Sequence, residues 1–173
     1  MNSEKVKAGG VFTVQCFDKD GQLKWTHAEH NLVVNVGLKD MNEKYFSGTG
    51  YTAAWYIGLY GAAASNDPAA GDTMALHTGW TEVTAYSQAT RPQALFGTAT
   101  TADPSVISNT LSVAVYSING TATVGGAFLT SDSTKGGTTG TLFSAADFQA
   151  PGDRAVVSGD TLNVTYQFSL DAA

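Results

Sequence analysis

The segment "GDTLNVTYQFSL", Gly159 to Leu170, alternates polar and apolar residues without a break. Leu162, Val164, Tyr166, Phe168 and Leu170 fall on one side, and Thr161, Asn163, Thr165, Gln167 and Ser169 on the other. Side chains on a strand repeat every two residues, so this run buries one face and wets the other. A half-buried strand cannot stand alone. The rest of the chain has to supply neighbours for its edges and a second layer for its apolar face.

Further alternating runs supply them. "VFTVQCFDKDGQLKWTH" reads as a hairpin: Phe12, Val14 and Cys16 share a face, "DKDG" turns, and Leu23 to His27 returns. "TAAWYIGLYG" places Trp55, Ile57 and Leu59 opposite Tyr56 and Tyr60, which suits a strand covered on both faces. "WTEVTAYS", "RPQALFGTA", "NTLSVAVYSING" and "TATVGGAFLTS" bring the expected count to about eight to ten strands. Asn119-Gly120, between two such runs, predicts a tight hairpin, because a type I′ turn needs positive φ at both central residues.

The period changes once. Val34, Leu38, Met41 and Tyr45 are spaced four, three and four apart, one stripe of a helix over about residues 35–46. Asp40 and Lys44 stand i,i+4, and the "SGTG" from Ser47 predicts a glycine stop. Two long loops are expected, at 61–79 and in the glycine-rich stretch 132–152. Residues 1–10, ending in Gly9-Gly10, lack a pattern and read as a flexible arm before a single domain at 11–173. The predicted fold is mainly β: an antiparallel sandwich or flattened barrel, jelly-roll or immunoglobulin-like, with one helix laid across it.

A chain of 173 residues buries roughly 70% of its unfolded surface and needs no covalent staples. Its one cysteine, Cys16, lies in an alternating run and reads as a small buried apolar residue. Charged residues make up 14% of the chain, against about 25% in typical soluble domains. The net charge of −6, with nine scattered Lys and Arg, argues against nucleic acid as a partner. No run of eighteen apolar residues spans a membrane, and "MNSEKVKAGG" lacks the apolar core of a signal peptide, so synthesis in the cytoplasm is expected. Outside secretion, the sequons at Asn119 and Asn163 read as chance.

Chemistry is sparse. On a strand, "HAEH" turns His27 and Glu29 one way and His30 the other, a poor zinc set. Asp147, Asp153 and Asp160, and Asp67 with Asp72, cluster in sequence as carboxylates do in glycosidases, but also as turns and caps use them. "SDSTKGGTTG" lacks the order of a phosphate loop. No catalytic residue, cofactor or metal ligand is expected, and the chain is read as a non-enzyme. Trp25, Trp55, Trp80 and the tyrosines suit a sandwich core, with Tyr51, Tyr60 and Tyr86 the members expected at the surface.

The order of segments "VFTVQCFDKDGQLKW", "HNLVVNVGLKDMNEKYF", "YTAAWYIGLYG", "TATVGGAFLTS", "GTLFSAADFQA" and "VVSGDTLNVTYQFSL" resembles small β-rich virion proteins of tailed bacteriophages, some of which are capsid decoration or cement proteins. The resemblance covers about Gly10 to Leu170 and extends to tail-associated and head-fibre proteins. It implies a structural role on the outer capsid surface, stabilising contacts between major capsid protein subunits, with the chain itself a homodimer or homotrimer. A tail or head-fibre part, or a carbohydrate-binding module, is the alternative. The expected interface residues are Val6, Lys7, Tyr51, Tyr60, Trp80, Tyr86 and Phe148.

Overall fold

The alternating C-terminal run becomes the spine of the molecule. The computed structural model describes residues 5–48, 50, 54–61 and 67–172. Its elements in chain order are β1 (Val6–Phe17), β2 (Leu23–His30), β3 (Leu32–Val33), α1 (Asn35–Phe46), β4 (Tyr56–Tyr60), β5 (Ser105–Ser108), β6 (Ala114–Ser117), β7 (Ala122–Val124), β8 (Gly126–Thr130), β9 (Leu142–Asp147), β10 (Arg154–Val156) and β11 (Thr161–Ala172). The fold is mainly β, antiparallel throughout, with one helix; it is sandwich-like and not a closed barrel.

In the first sheet β1 pairs with β11 in unbroken register from Val6↔Ala172 to Phe17↔Thr161, and β2 pairs with β1 from Val11 onward. The other edge of β11 is shared end to end, by β6 over Thr161–Val164 and by β5 over Gln167–Leu170. Asn109 fills the junction. Its Oδ1 accepts from the Tyr166 N–H at 2.6 Å and its Nδ2 donates to the Val164 carbonyl at 3.3 Å, replacing ladder bonds that neither strand supplies.

The second sheet runs β3-β9-β8-β4, and β7 with β10 forms a separate ribbon. Phe12, Val14, Cys16, Leu162, Val164 and Tyr166 from the first sheet meet Ile57, Leu59, Ala127, Leu129 and Ala146 from the second in one core. Polar groups also cross it: the Tyr116 hydroxyl donates to the Ile57 carbonyl at 2.6 Å, and the Tyr166 hydroxyl accepts from Asn31 Nδ2 at 2.8 Å and Ser144 Oγ at 3.3 Å. Cys16 is fully buried, as its position predicts, and burial pushes its thiol up to about 11.

The second sheet is covered on both faces. On its outer side Tyr60, Phe128, Leu142 and Ala145 pack with Met74 and Trp80 from the loop after β4. Phe128 lies over Gly58, and Tyr60 over Gly126, its partner in register; a Cβ on either glycine would fall within about 2.2 Å of the opposing ring. The edge of β4 is closed by irregular chain: Val83 N donates to Leu59 O, Gly61 N to Thr81 O and Ile57 N to Pro92 O. Thus "WTEVTAYS" and "RPQALFGTA" are not strands. Glu82 and Gln93 meet β4 in isolated bridges, Tyr86 bridges Ile118 outside the strands, and Pro92 lacks the N–H that a ladder would need.

Four other expectations are corrected. Residues 6–10 are not an arm but the first half of β1, ordered by backbone pairing that a side-chain pattern does not reveal. Gly10 is a close-packing position, since a Cβ there would lie 2.5 Å from the Gln167 carbonyl oxygen. Asn119-Gly120 joins strands that do not pair: β6 goes to β11 and β7 to β10, and the φ of Gly120 lies outside the left-handed region. The stretch 132–152 contains β9, an interior strand of the second sheet. In α1, whose bounds match the predicted helix, the i,i+4 ion pair is Lys39–Glu43 at 2.6 Å, while Lys44 donates to the Gly50 carbonyl. The helix does stop as expected, with Gly48 at φ +63°.

Candidate functional site

The expected stripe of α1 does not face the core. Val34 is buried and Met41 half-buried, but Leu38 and Tyr45 are exposed. The helix instead touches the second sheet through Gly37, where a Cβ would lie 2.3 Å from the Phe143 carbonyl oxygen. Met41 packs against the core, while Tyr45 and Phe46 in the last turn stay exposed. Beneath it opens an apolar cavity of about 890 Å³, within the range of small-molecule and peptide sites.

Three walls build it. Met41, Tyr45 and Phe46 of α1 form one; Phe168 and Leu170 of β11, Ile107 of β5 and Val6 of β1 form the second; Leu95 and Phe96 close the third. Its floor is a chain of edge-to-face aromatics: Trp55 and Phe143 at 5.4 Å, Phe143 and Phe168 at 5.4 Å, and Phe96 and Tyr166 at 6.2 Å. The Tyr166 hydroxyl is raised by burial and is satisfied by Ser144 and Asn31, so it offers a bound molecule little. Asp40, Asn42, Lys44 and Gln93 also line the cavity. At its rim Val6, Tyr45 and Phe46 are 72%, 82% and 79% exposed. Large apolar side chains gathered round an apolar groove mark a contact surface.

Of the expected interface residues, Val6 lines this groove and Lys7 is exposed on the opposite face of the same strand. Tyr51 lies outside the described residues. Tyr60, Trp80, Tyr86 and Phe148 are buried and belong to the interior. Tyr60 packs on Trp80 and donates to Asp147 at 3.2 Å; Trp80 stacks on His77 at 3.8 Å; Tyr86 meets Tyr116 edge-on beneath the Lys135 ammonium; Phe148 stacks on His27 at 4.3 Å. Position beside a loop predicts exposure only where the loop leaves the sheet, and here the loops fold back over it.

The carboxylates brace loops. Asp160 binds Lys24 at 2.6 Å and the Val157 N–H at 2.9 Å; Asp72 accepts from the Ala69 N–H and the Trp80 indole. Gln149 bridges Asp67 and Asp147, whose carboxyl is raised by burial and by Asp67. Glu29 lies 3.3 Å from His27 and accepts from the Gln149 N–H, with His30 turned away. Arg91, almost fully buried, forks onto Glu82 at 2.9 and 2.8 Å and reaches the Asp132 and Gly137 carbonyls, clamping the connection after β4 to the one after β8.

The groove itself had one legible trace in the sequence, the adjacent Tyr45 and Phe46. Neighbouring helical positions point about 100° apart, so the two rings cannot share one buried stripe. An antiparallel, sandwich-like β protein with a helix-roofed apolar groove is the class that fold and site define. Comparison with protein-family models, curated proteins and solved structures finds no match.

Proposed function

We propose that this chain is a virion structural protein of a tailed bacteriophage that binds the outside of the capsid shell and opposes separation of major capsid protein subunits. The observation that carries this reading is the groove between α1 and the first sheet, with Val6, Tyr45 and Phe46 exposed at its rim. Exposed aromatics in a chain that is only 14% charged favour a covered surface over a wet one. The sandwich, clamped by Arg91 and by hydrogen bonds across its core, holds that surface in one shape, which lowers the ordering cost of association. Binding as a symmetric dimer or trimer at a local symmetry axis would multiply the effect through effective concentration.

The test is the amount of this chain in purified virions relative to the major capsid protein. A decoration role expects copies in the hundreds, and a double variant Tyr45→Ser/Phe46→Ser that folds normally but is depleted from particles. A ratio of a few tens or fewer would move the protein to the tail or a fibre, and absence from particles would end the proposal.

A further inference from the structure

The rim of the groove includes an open strand edge. β2 leaves β1 after the Val11↔His30 pair, and the chain turns away once the Asn31 N–H has bonded the Gly10 carbonyl. Along a strand, N–H and C=O groups of alternate residues point to the same side. With Gly10 facing the β2 side, Ala8 and Val6 face it too, and no described residue pairs with them there. Other edges near the groove are closed: β5 is bonded by Gly97 and Thr100, and β4 by residues 81–83 and 92–94. β2 also ends the sheet, but none of its residues lines the large apolar cavity.

The side chains of this edge separate by chemistry. Val6 lines the groove and Ala8 packs on the core, while Lys7 lies on the opposite face with Gly9. Six of the chain's other cations are engaged: Lys19, Lys24, Lys39 and Arg91 with carboxylates, Lys44 and Lys135 with carbonyl oxygens. Arg154 lies over the Trp25 ring. Lys5 and Lys7 make no hydrogen bond or ion pair among the described residues, although Lys7 stands opposite Asp171 in the ladder.

From this juxtaposition we infer that the groove takes an extended segment of a partner polypeptide that alternates apolar and acidic residues, paired as an added strand on the Val6–Ala8 edge. Its apolar side chains would enter the cavity beside Met41 and Phe168, and its carboxylates would meet Lys5 and Lys7 on the other face. Backbone pairing supplies affinity and the two-faced alternation supplies specificity. The inference rests on the reading of this groove as the partner-binding surface, and it names the chemistry of what binds there.

The experiment titrates the full chain with a short synthetic peptide alternating Glu and Leu, followed by tryptophan fluorescence, because Trp55 lines the cavity, and by exchange of backbone amides. Saturable binding is expected, weakened by salt, with the Val6 and Ala8 amides protected. Ala8→Pro deletes an outward N–H that the β1–β11 ladder does not use, and Lys7→Glu reverses the edge charge; each should weaken binding at least about tenfold. A peptide with the same residues in two blocks, or one alternating Lys and Leu, should not bind. Equal binding of the block peptide, undiminished binding by Ala8→Pro, no binding at all, or a dimer of the free chain that Ala8→Pro dissociates would each overturn the inference. Particles that incorporate the Ala8→Pro chain normally would remove the added strand and leave the capsid role standing. A chain that binds the peptide yet is absent from virions would do the reverse.

Discussion

At the scale of single residues, the interior holds polar groups in three conditions, and each gives a different mutational outcome. The Tyr86 hydroxyl is buried with no hydrogen-bond partner among the described residues, whereas the Tyr116 hydroxyl next to it donates to Ile57. An unpaired buried hydroxyl has lost water and gained nothing, so Tyr86→Phe should be neutral or stabilise by up to about 1 kcal/mol, while Tyr116→Phe should cost about 0.5–1.5 kcal/mol. Urea midpoints at constant slope would measure both, and a larger loss at Tyr86 would reveal a partner for its hydroxyl. Carboxylates make the third condition. Burial alone would raise Asp160, but the Lys24 ammonium and the Val157 N–H outweigh it and hold the carboxyl below its ordinary range. A depressed acid stabilises the fold above its unfolded pKa of about 3.9, and that contribution is lost as pH falls through the lower, folded value. Asp160→Asn should therefore destabilise at neutral pH, by roughly 1.5–3 kcal/mol, and show a shallower acid limb in stability against pH. Asp147 is raised, by burial first and by Asp67, so its ionisation opposes folding. Asp147→Asn should stabilise at neutral pH, with the gain vanishing in acid. If the two variants shift stability in the same direction, the assignment of these environments is wrong.

At the scale of elements, legibility followed whether a segment's partner lay in its own pattern. β1 from Val11 onward, β2 and β11 were readable because these runs alternate a covered face with a more exposed one. β9 was hidden: "LFSAAD" is covered on both faces, so small and polar residues occur where alternation would be sought, and Ser144 is spent on the Tyr166 hydroxyl. The Asn119-Gly120 turn misled because local turn chemistry yields to whatever strands compete for an edge, and β11 had an edge to give β6. The candidate site was readable only at Val6 and in the adjacent Tyr45 and Phe46, since its three walls draw on five segments far apart in sequence and on a helix contact at a glycine. Gly37 shows how strong that contact is. Intrinsic propensity favours Gly→Ala inside a helix by about 1 kcal/mol, yet here the added methyl meets a backbone oxygen that cannot move aside. Gly37→Ala should lower stability by about 1–3 kcal/mol and change the environment of Trp55, which packs on Phe143. Gly71→Ala, with nothing within 4 Å of the new methyl, is the matched control. A Gly37→Ala protein as stable as that control would mean α1 is held elsewhere and the groove is not fixed.

At the scale of the whole molecule, rigidity and stickiness are assigned to different parts. The core is closed by cross-sheet hydrogen bonds and the buried Arg91–Glu82 fork, whereas Tyr45, Phe46 and Val6 hold no part of it together. Surface residues outside such features usually change stability by no more than about 0.5 kcal/mol, so Tyr45→Ser/Phe46→Ser should leave the unfolding midpoint nearly unchanged. Binding is another matter. Aromatic anchors at the centre of an interface cost upward of about 2 kcal/mol each when truncated, roughly thirtyfold in affinity, and many copies on one lattice convert a weak contact into full occupancy or its loss. Particle heating therefore separates the two roles. On the proposed capsid role, virions carrying the double variant should release or lack this chain and lose shell integrity at lower temperature, although the isolated variant melts where the wild type does. Arg91→Met should do the opposite in solution, melting early because Glu82 is left buried without its cation, while protein that remains folded keeps its place on the shell. Equal heat tolerance of shells with and without Tyr45 and Phe46 would separate the groove from any stabilising work.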